Sequence, residues 1–375
     1  MSIHDYVDNW IMFKTRTVRA KSSGGFSLGN RNSSSKTPLK KGTGLANLRA
    51  AALKQPEVMV KIPRRKSGNS TGLKGVRSHL EYISRNGKVE VETKDGEKLN
   101  GKKEVQSIAE TWQKHGIPED SRRREALNIV LSMPPGTPPQ AVKDAAREFA
   151  KEQFPNNDYA FALHTDADDP NEPAHPHVHL CVVLRNEFGR YLNPRKNDLF
   201  EWRMRFAEKM REQGVECAAT RRQHRGVSRK GENSVLRVMR QDAERAENFE
   251  RQQKRQPNVY KQAATEIGKA LANQERPKHP YLKKVLETRG FIVGEYGLIA
   301  KELYKQGYKT EAREISKLAR SVAAADYDTR AQQEYDNINN AVSHAQQAKA
   351  KEVFRQPEPM KTPQPPVEQD ADFER

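Results

Sequence analysis

Four of the ten histidines fall between positions 164 and 179: His164, His175, His177 and His179. The residues around them read as two strands, Tyr159–Asp166 and Val178–Leu184, joined by a polar loop that contains prolines. Side chains alternate faces along a strand, so Tyr159, Phe161 and Leu163 share one side of the first strand, and Ala160, Ala162, His164 and Asp166 share the other. On the second strand Val178, Leu180, Val182 and Leu184 form an apolar face, with His177, His179 and Cys181 opposite. If the strands pair as neighbours, the apolar faces join one core and His164, His177 and His179 converge on the reverse side. Three neutral imidazoles in that arrangement make a divalent-metal site with open positions for substrate oxygens. A lone His-x-His is more often a solvated loop. Here His-x-Asp precedes His-Pro-His-x-His on matched strand faces, which favours the metal. Asp166 shares the face of His164 and can accept the distal N–H of a ligand histidine. His175 stands before Pro176 at the strand entrance, where a substrate-phosphate contact and ligation are both open. Imidazole alone suits Zn, Ni, Cu or Mn, whereas Mg would draw its oxygens from substrate and water.

The second chemical signal is Arg77-Ser78-His79-Leu80-Glu81-Tyr82-Ile83-Ser84-Arg85-Asn86-Gly87. A helix from about Leu73 to Arg85 places Val76, Leu80 and Ile83 on one apolar stripe and stops at Asn86-Gly87. Arg77, Ser78, Tyr82 and Arg85 then cluster away from that stripe. Cations beside Tyr82 favour its phenolate and can hold a phosphate. Taken alone, the segment fits better an amphipathic tyrosine covering the edge of a core.

Elements able to position these residues lie between about 56 and 227. Glu57–Ile62 and Ala126–Ser132 read as strands, Val89–Thr93 with Asp95-Gly96 as a hairpin, and Lys102–Lys114, Pro138–Phe154 and Asn197–Gln213 as helices. The expected class is α/β (α+β), a mainly antiparallel central sheet flanked by helices, with Trp112 and Trp202 fitting its core better than stacking on bases. Residues 1–55, rich in Ser, Gly, Lys and Arg, read as a flexible basic arm, 56–230 as the catalytic domain, and 231–279 as a charged helical linker. Residues 280–350 read as a small helical domain with an apolar side of Leu282, Val285, Leu286, Phe291, Leu298, Leu303, Ile315 and Leu318, and 351–375 as a disordered acidic, Pro-rich tail. A net charge of +18 over 375 residues and a pI near 9.7 favour a polyanionic partner. Two cysteines, Cys181 and Cys217, exclude a disulfide framework and a cysteine zinc cluster, and suggest a reducing cytoplasm. No apolar run approaches the ~18 residues of a membrane span, and no secretory signal opens the chain.

Three motifs in this order resemble the relaxases of the plasmid mobilisation P family: Leu80-Glu81-Tyr82-Ile83-Ser84-Arg85-Asn86-Gly87; Ile129-Val130-Leu131-Ser132-Met133-Pro134-Pro135-Gly136-Thr137; and His164-Thr165-Asp166 followed by His175-Pro176-His177-Val178-His179-Leu180. The resemblance covers Glu57 to Arg225, a little under half of the chain. It implies that Tyr82 attacks one strand at a plasmid transfer origin and stays linked to the DNA 5′ end. It further implies that Ser132 contacts DNA, that His164, His177 and His179 hold Mg or Mn (Zn or Ni as alternatives), and that Asp166 orients a ligand or takes the tyrosine proton. DNA contacts are then expected from Arg77, Arg85, His175, Arg221, Arg222 and Arg225, from the arm, and from Arg64, Arg65 and Lys66. Expected partners are single-stranded and duplex DNA, relaxosome accessory proteins and the coupling protein of a type IV secretion system, with export of the protein alongside the DNA. The C-terminal third would carry the partner contacts, so that deleting 231–375 spares nicking. A rolling-circle replication initiator shares this chemistry, but its tyrosine helix is expected after the histidines. A non-enzymatic DNA-binding accessory protein and a metal-dependent hydrolase without a covalent intermediate are the other competitors.

Overall fold

Period-two apolar alternation builds the sheet, and helical stripes build the layers on it. The computed structural model describes residues 2–12, 38–63, 71–165, 175–229, 231–232, 234–246 and 249–353. In chain order the elements are α1 (Ile3–Met12), α2 (Thr43–Ala52), β1 (Met59–Lys61), α3 (Gly72–Ile83), β2 (Val91–Thr93), β3 (Lys98–Leu99), α4 (Lys102–Lys114), β4 (Ala126–Ser132), α5 (Pro139–Gln153), β5 (Tyr159–His164), β6 (His177–Val183), α6 (Lys196–Glu212), α7 (Ser234–Glu244), α8 (Phe249–Arg255), α9 (Asn258–Ala272), α10 (Leu282–Lys305), α11 (Lys309–Ala324) and α12 (Arg330–Val353). The chain divides into two compact units, Met1–Ser228 with Lys283–Tyr327, and Arg229–Leu282 with Asp328–Arg375.

The first unit holds, among the described residues, a six-stranded sheet of order β1-β4-β6-β5-β2-β3 with antiparallel neighbours. This is the α+β class that the sequence indicates. On one face Val178, Leu180 and Val182 of β6 meet Leu127, Ile129 and Leu131 of β4 and Tyr159 and Phe161 of β5. Helices α5 and α6 close this face through Phe149, Phe154, Trp202 and Phe206, whose rings meet edge to face at 5.3–6.2 Å. Each such buried aromatic contributes roughly 2–3 kcal/mol of transfer free energy. The reverse face is small-residued, with Ala160, Ala162 and Cys181, and takes α3 and α4 through Leu73, Val76, Leu80, Ile83, Val105, Ile108 and Trp112. Alanines there let α3 sit close to the strands, which brings its C-terminus beside the end of β5 and β6.

Helix α3 stops abruptly. Arg85, Asn86 and Gly87 follow with φ of 50°, 58° and 86°. A Cβ at position 87 would lie 2.3 Å from the Lys102 backbone nitrogen, so only glycine fits this left-handed turn. Ser84 is fully buried, and its Oγ accepts the Gly87 N–H at 3.1 Å.

Four expectations are corrected. The basic arm of residues 1–55 contains two helices of the core, α1 and α2. Ile3, Val7, Trp10 and Ile11 recur at helical spacing and are buried, and the Asp8 carboxylate accepts the Gly42 and Gly44 N–H groups that open α2. Basic composition had masked that stripe. Residues 280–350 do not form one bundle: α10 and α11 belong to the first unit and α12 to the second. Their buried stripe is Ile292, Tyr296, Ile299 and Leu303 with Ile315, Leu318 and Val322, while Leu282, Leu286, Phe291 and Leu298 are exposed. The 56–230 segment is therefore not self-contained, because 283–327 completes its core. The expected helical linker 231–279 holds three helices, α7, α8 and α9, which belong with α12 to the second compact unit. Arg64, Arg65 and Lys66, and nearly all of the 351–375 tail, lie outside the described residues. Among those described, no helix is long and apolar enough to cross a membrane.

Candidate metal and tyrosine site

Register decides the site. His164 pairs opposite His177, and Ala162 opposite His179, so the three histidines share one face at one end of the β5–β6 ladder, as alternation requires. Each offers a ring nitrogen within 4.8 Å of the others. All three are buried.

The second ring nitrogen of each histidine has its own acceptor, which fixes the tautomer. His164 Nε2 donates to the Ile83 carbonyl at 2.7 Å. His177 Nδ1 donates to the His175 carbonyl at 3.1 Å. His179 Nδ1 lies 3.3 Å from Asn128 Oδ1. A carbonyl only accepts, so these nitrogens carry the protons, leaving His164 Nδ1 and the Nε2 atoms of His177 and His179 with lone pairs. Burial, followed by the neighbouring charges of His164, His177, His79 and Lys61, pushes the His179 pKa down to about 2. Its imidazole is therefore neutral at physiological pH, the form that binds a metal. Donor set, spacing and tautomers all fit a divalent ion held by His164, His177 and His179.

Tyr82 stands over this cluster. Its ring meets that of His179 edge-on, with centroids 5.4 Å apart at 90°, and it is 55% exposed. The Ile83 carbonyl that receives His164 is at the end of the same helix, where terminal carbonyls have no helical partner. One hydrogen bond thus ties the tyrosine helix to a metal-facing histidine.

Ser132 is buried on the same face, paired opposite His177 across β4–β6. The His175 ring lies 5.3 Å from that of His177 but outside the group of three, and what it supplies is its backbone carbonyl. Arg85 is half-buried just past the end of α3. Asp166 lies outside the described residues.

Three of the expected DNA-binding arginines are otherwise engaged. Arg77 pairs with Glu119 at 3.1 Å. Arg221 stacks its guanidinium 3.9 Å from the Phe200 ring centroid and donates to the Met12 carbonyl, and burial lowers its pKa to about 10. Arg225 pairs with Glu57 and donates to Thr220 Oγ1 at 2.8 Å. The 221–225 cluster looks like a phosphate-binding patch in sequence, but its structure is largely a brace, because the acceptors are Met12 of α1 and Glu57, two residues before β1. Arg222 alone of that cluster's arginines is exposed. Sequence reading missed Asn128 and His79. Asn128 is the polar residue four before Ser132, on the same face of an apolar strand. His79 sits one helical turn before Tyr82 and is buried.

Comparison with known proteins falls on these elements. Residues 82–215 match the relaxase family described as MobA/VirD2-like, nuclease domain. T-DNA border endonuclease VirD2 of Agrobacterium fabrum (strain C58) is 29% identical over 182 residues, covering 43% of this chain and 39% of that protein. The VirD2 of Rhizobium radiobacter is 29% identical with 43% and 41% covered, and that of Rhizobium rhizogenes 30% identical over 138 residues with 32% and 30% covered. The chain thus spans well under half the length of these curated relatives. Over the tyrosine helix end and the histidine strands, the chain resembles the VirD2-type relaxases.

Proposed function

We propose that the protein is a relaxase that cuts and rejoins one DNA strand, with Tyr82 as nucleophile. The observation that carries this reading is the exposed Tyr82 ring set edge-on to His179, one of three buried, tautomer-fixed histidines. The Tyr82 phenol loses its proton, and its oxygen forms a bond to the phosphorus of one phosphodiester as the bond from phosphorus to the 3′-oxygen breaks. The 3′-oxygen takes up a proton from water, leaving a free 3′-OH and the 5′-phosphate on the tyrosine. Attack by a 3′-OH on that linkage reverses the balance and restores the strand. A bound divalent ion, Mg or Mn in this reading, would supply charge stabilisation at the non-bridging oxygens. The histidines contribute orientation: His164 is held by the tyrosine helix, so nucleophile and ligand set share one frame. Ser132 borders the site as a strand contact. Asp166 remains the proposed proton acceptor or ligand-orienting carboxylate.

The relatives are named as endonucleases of T-DNA borders. By that likeness the substrate proposed is single-stranded DNA at a transfer origin, with accessory proteins and a secretion coupling protein as partners and export with the DNA as destination. The test is a denaturing gel of the protein with a labelled pool of random single-stranded oligonucleotides and Mn²⁺. A labelled protein band that EDTA and Tyr82→Phe each abolish supports the reading. Cleavage without such a band would make the protein a hydrolase.

A further inference from the structure

A cation beside the metal stabilises the charge that builds on a phosphoryl group, and the arginines that sequence nominates are largely spent on Glu119, Met12, Phe200 and Glu57. The sheet supplies another. Lys61 pairs opposite Val130, Val130 opposite His179, and His179 opposite Ala162, so one cross-strand row runs Lys61–Val130–His179–Ala162 on the histidine face. Lys61 lies two strands from His179, about 10 Å across the sheet, a gap that a lysine stem and a phosphate group between the two can span together. It sits on the edge strand β1, is exposed, and has no carboxylate partner among the described residues. Met59, its neighbour on the same face, is 49% exposed and lies in the row of Ser132, His177 and His164. Lys61 and Met59 thus leave two exposed side chains on the histidine face along the β1 edge.

Resting on the relaxase reading, we infer that Lys61 binds a non-bridging oxygen of the phosphodiester attacked by Tyr82, so that the cut strand enters along the β1 edge. The ammonium acts as a fixed charge that gains value as negative charge builds on the phosphoryl oxygens. It transfers no proton.

The experiment uses the full chain and the oligonucleotide that it captures from a random single-stranded pool. Unaltered protein, Lys61→Ala and Lys61→Arg are compared for the single-turnover rate of adduct formation at saturating DNA, for the salt dependence of binding, and for Mn²⁺ affinity by calorimetry. Lys61→Ala should slow adduct formation by about 10–100-fold and reduce the slope of log K against log salt by about 0.7. Lys61→Arg should restore most of the rate. Mn²⁺ should bind Lys61→Ala as tightly as the unaltered protein or tighter, because a repelling charge has gone. That last readout separates a phosphate contact from a structural role, which would weaken metal binding. An unchanged rate in Lys61→Ala overturns the inference, as does weaker binding with an unchanged rate at saturation. No adduct with the unaltered protein overturns the nicking reading and this inference with it.

Discussion

Replacing Asn128 by alanine removes the oxygen that faces His179 Nδ1 at 3.3 Å and leaves the three metal-facing nitrogens in place. His179 then loses the group that selects its Nδ1–H tautomer and ring angle, while His164 and His177 keep theirs on backbone carbonyls. Losing such an outer partner typically costs 10–100-fold in metal affinity. The contact here is long for an N–H···O bond, which puts the expectation near the lower end, about tenfold or 1.4 kcal/mol. Asn128→Asp retains an acceptor and adds negative charge, so it should bind metal at least as tightly as the unaltered protein. The assay is a calorimetric Mn²⁺ titration of EDTA-stripped protein near neutral pH, with circular dichroism to check that β4 still folds. Wild-type affinity in Asn128→Ala, or an Asp variant as weak as the Ala variant, would refute the reasoning that Asn128 fixes the histidine.

The same fold sets three further outcomes. Glu57 receives Arg203, Arg225 and the Thr220 N–H and hydroxyl, so Glu57→Ala strands two guanidinium groups and should cost about 3–5 kcal/mol in urea unfolding; a loss below 1 kcal/mol would contradict that role. His224 stacks on Trp10, and burial followed by the charges of Arg221 and Arg225 lowers its pKa from 6.5 to about 3. The unfolded chain takes up this proton below 6.5 and the folded one does not, so stability is unaffected above 6.5 and falls as pH drops, by about 2 kcal/mol at pH 5. His224→Phe should remove that component of the acid sensitivity, and an identical pH profile in both proteins would count against it. A chain ending at Ser228 loses Ile292, Tyr296, Ile299, Leu303, Ile315, Leu318 and Val322 from the core. At roughly 1.5–3 kcal/mol per side chain the loss is on the order of 10 kcal/mol, comparable to a domain's whole stability. Such a truncation should aggregate or melt far below the full chain, contrary to the expectation that deleting 231–375 spares nicking; a soluble, equally stable product would restore that expectation.

Strand alternation was enough to place His164, His177 and His179 on one face, because the period of two leaves no freedom once the apolar face is assigned. The Asn86-Gly87 stop and the α3 stripe were equally local. What tied the pieces together was not local. Ile83, Asn128 and the His175 carbonyl become partners of histidines only through register and helix docking. Lys61 acquires its position from pairing with β4. The basic character of residues 1–55 outweighed the four apolar positions of α1, and the Arg221–Arg225 run concealed that Glu57, Phe200 and Met12 wait for its side chains. On α10 two apolar stripes compete, and only tertiary contact selects Ile292, Tyr296, Ile299 and Leu303.

The most direct measurement is mass spectrometry of the protein–DNA adduct after protease and nuclease digestion. The nucleotide remnant should sit on the peptide containing Tyr82, joined through a 5′-phosphate, with the released strand ending in a 3′-OH. Attachment at another tyrosine, or through a 3′-phosphate, would contradict Tyr82 as the nucleophile.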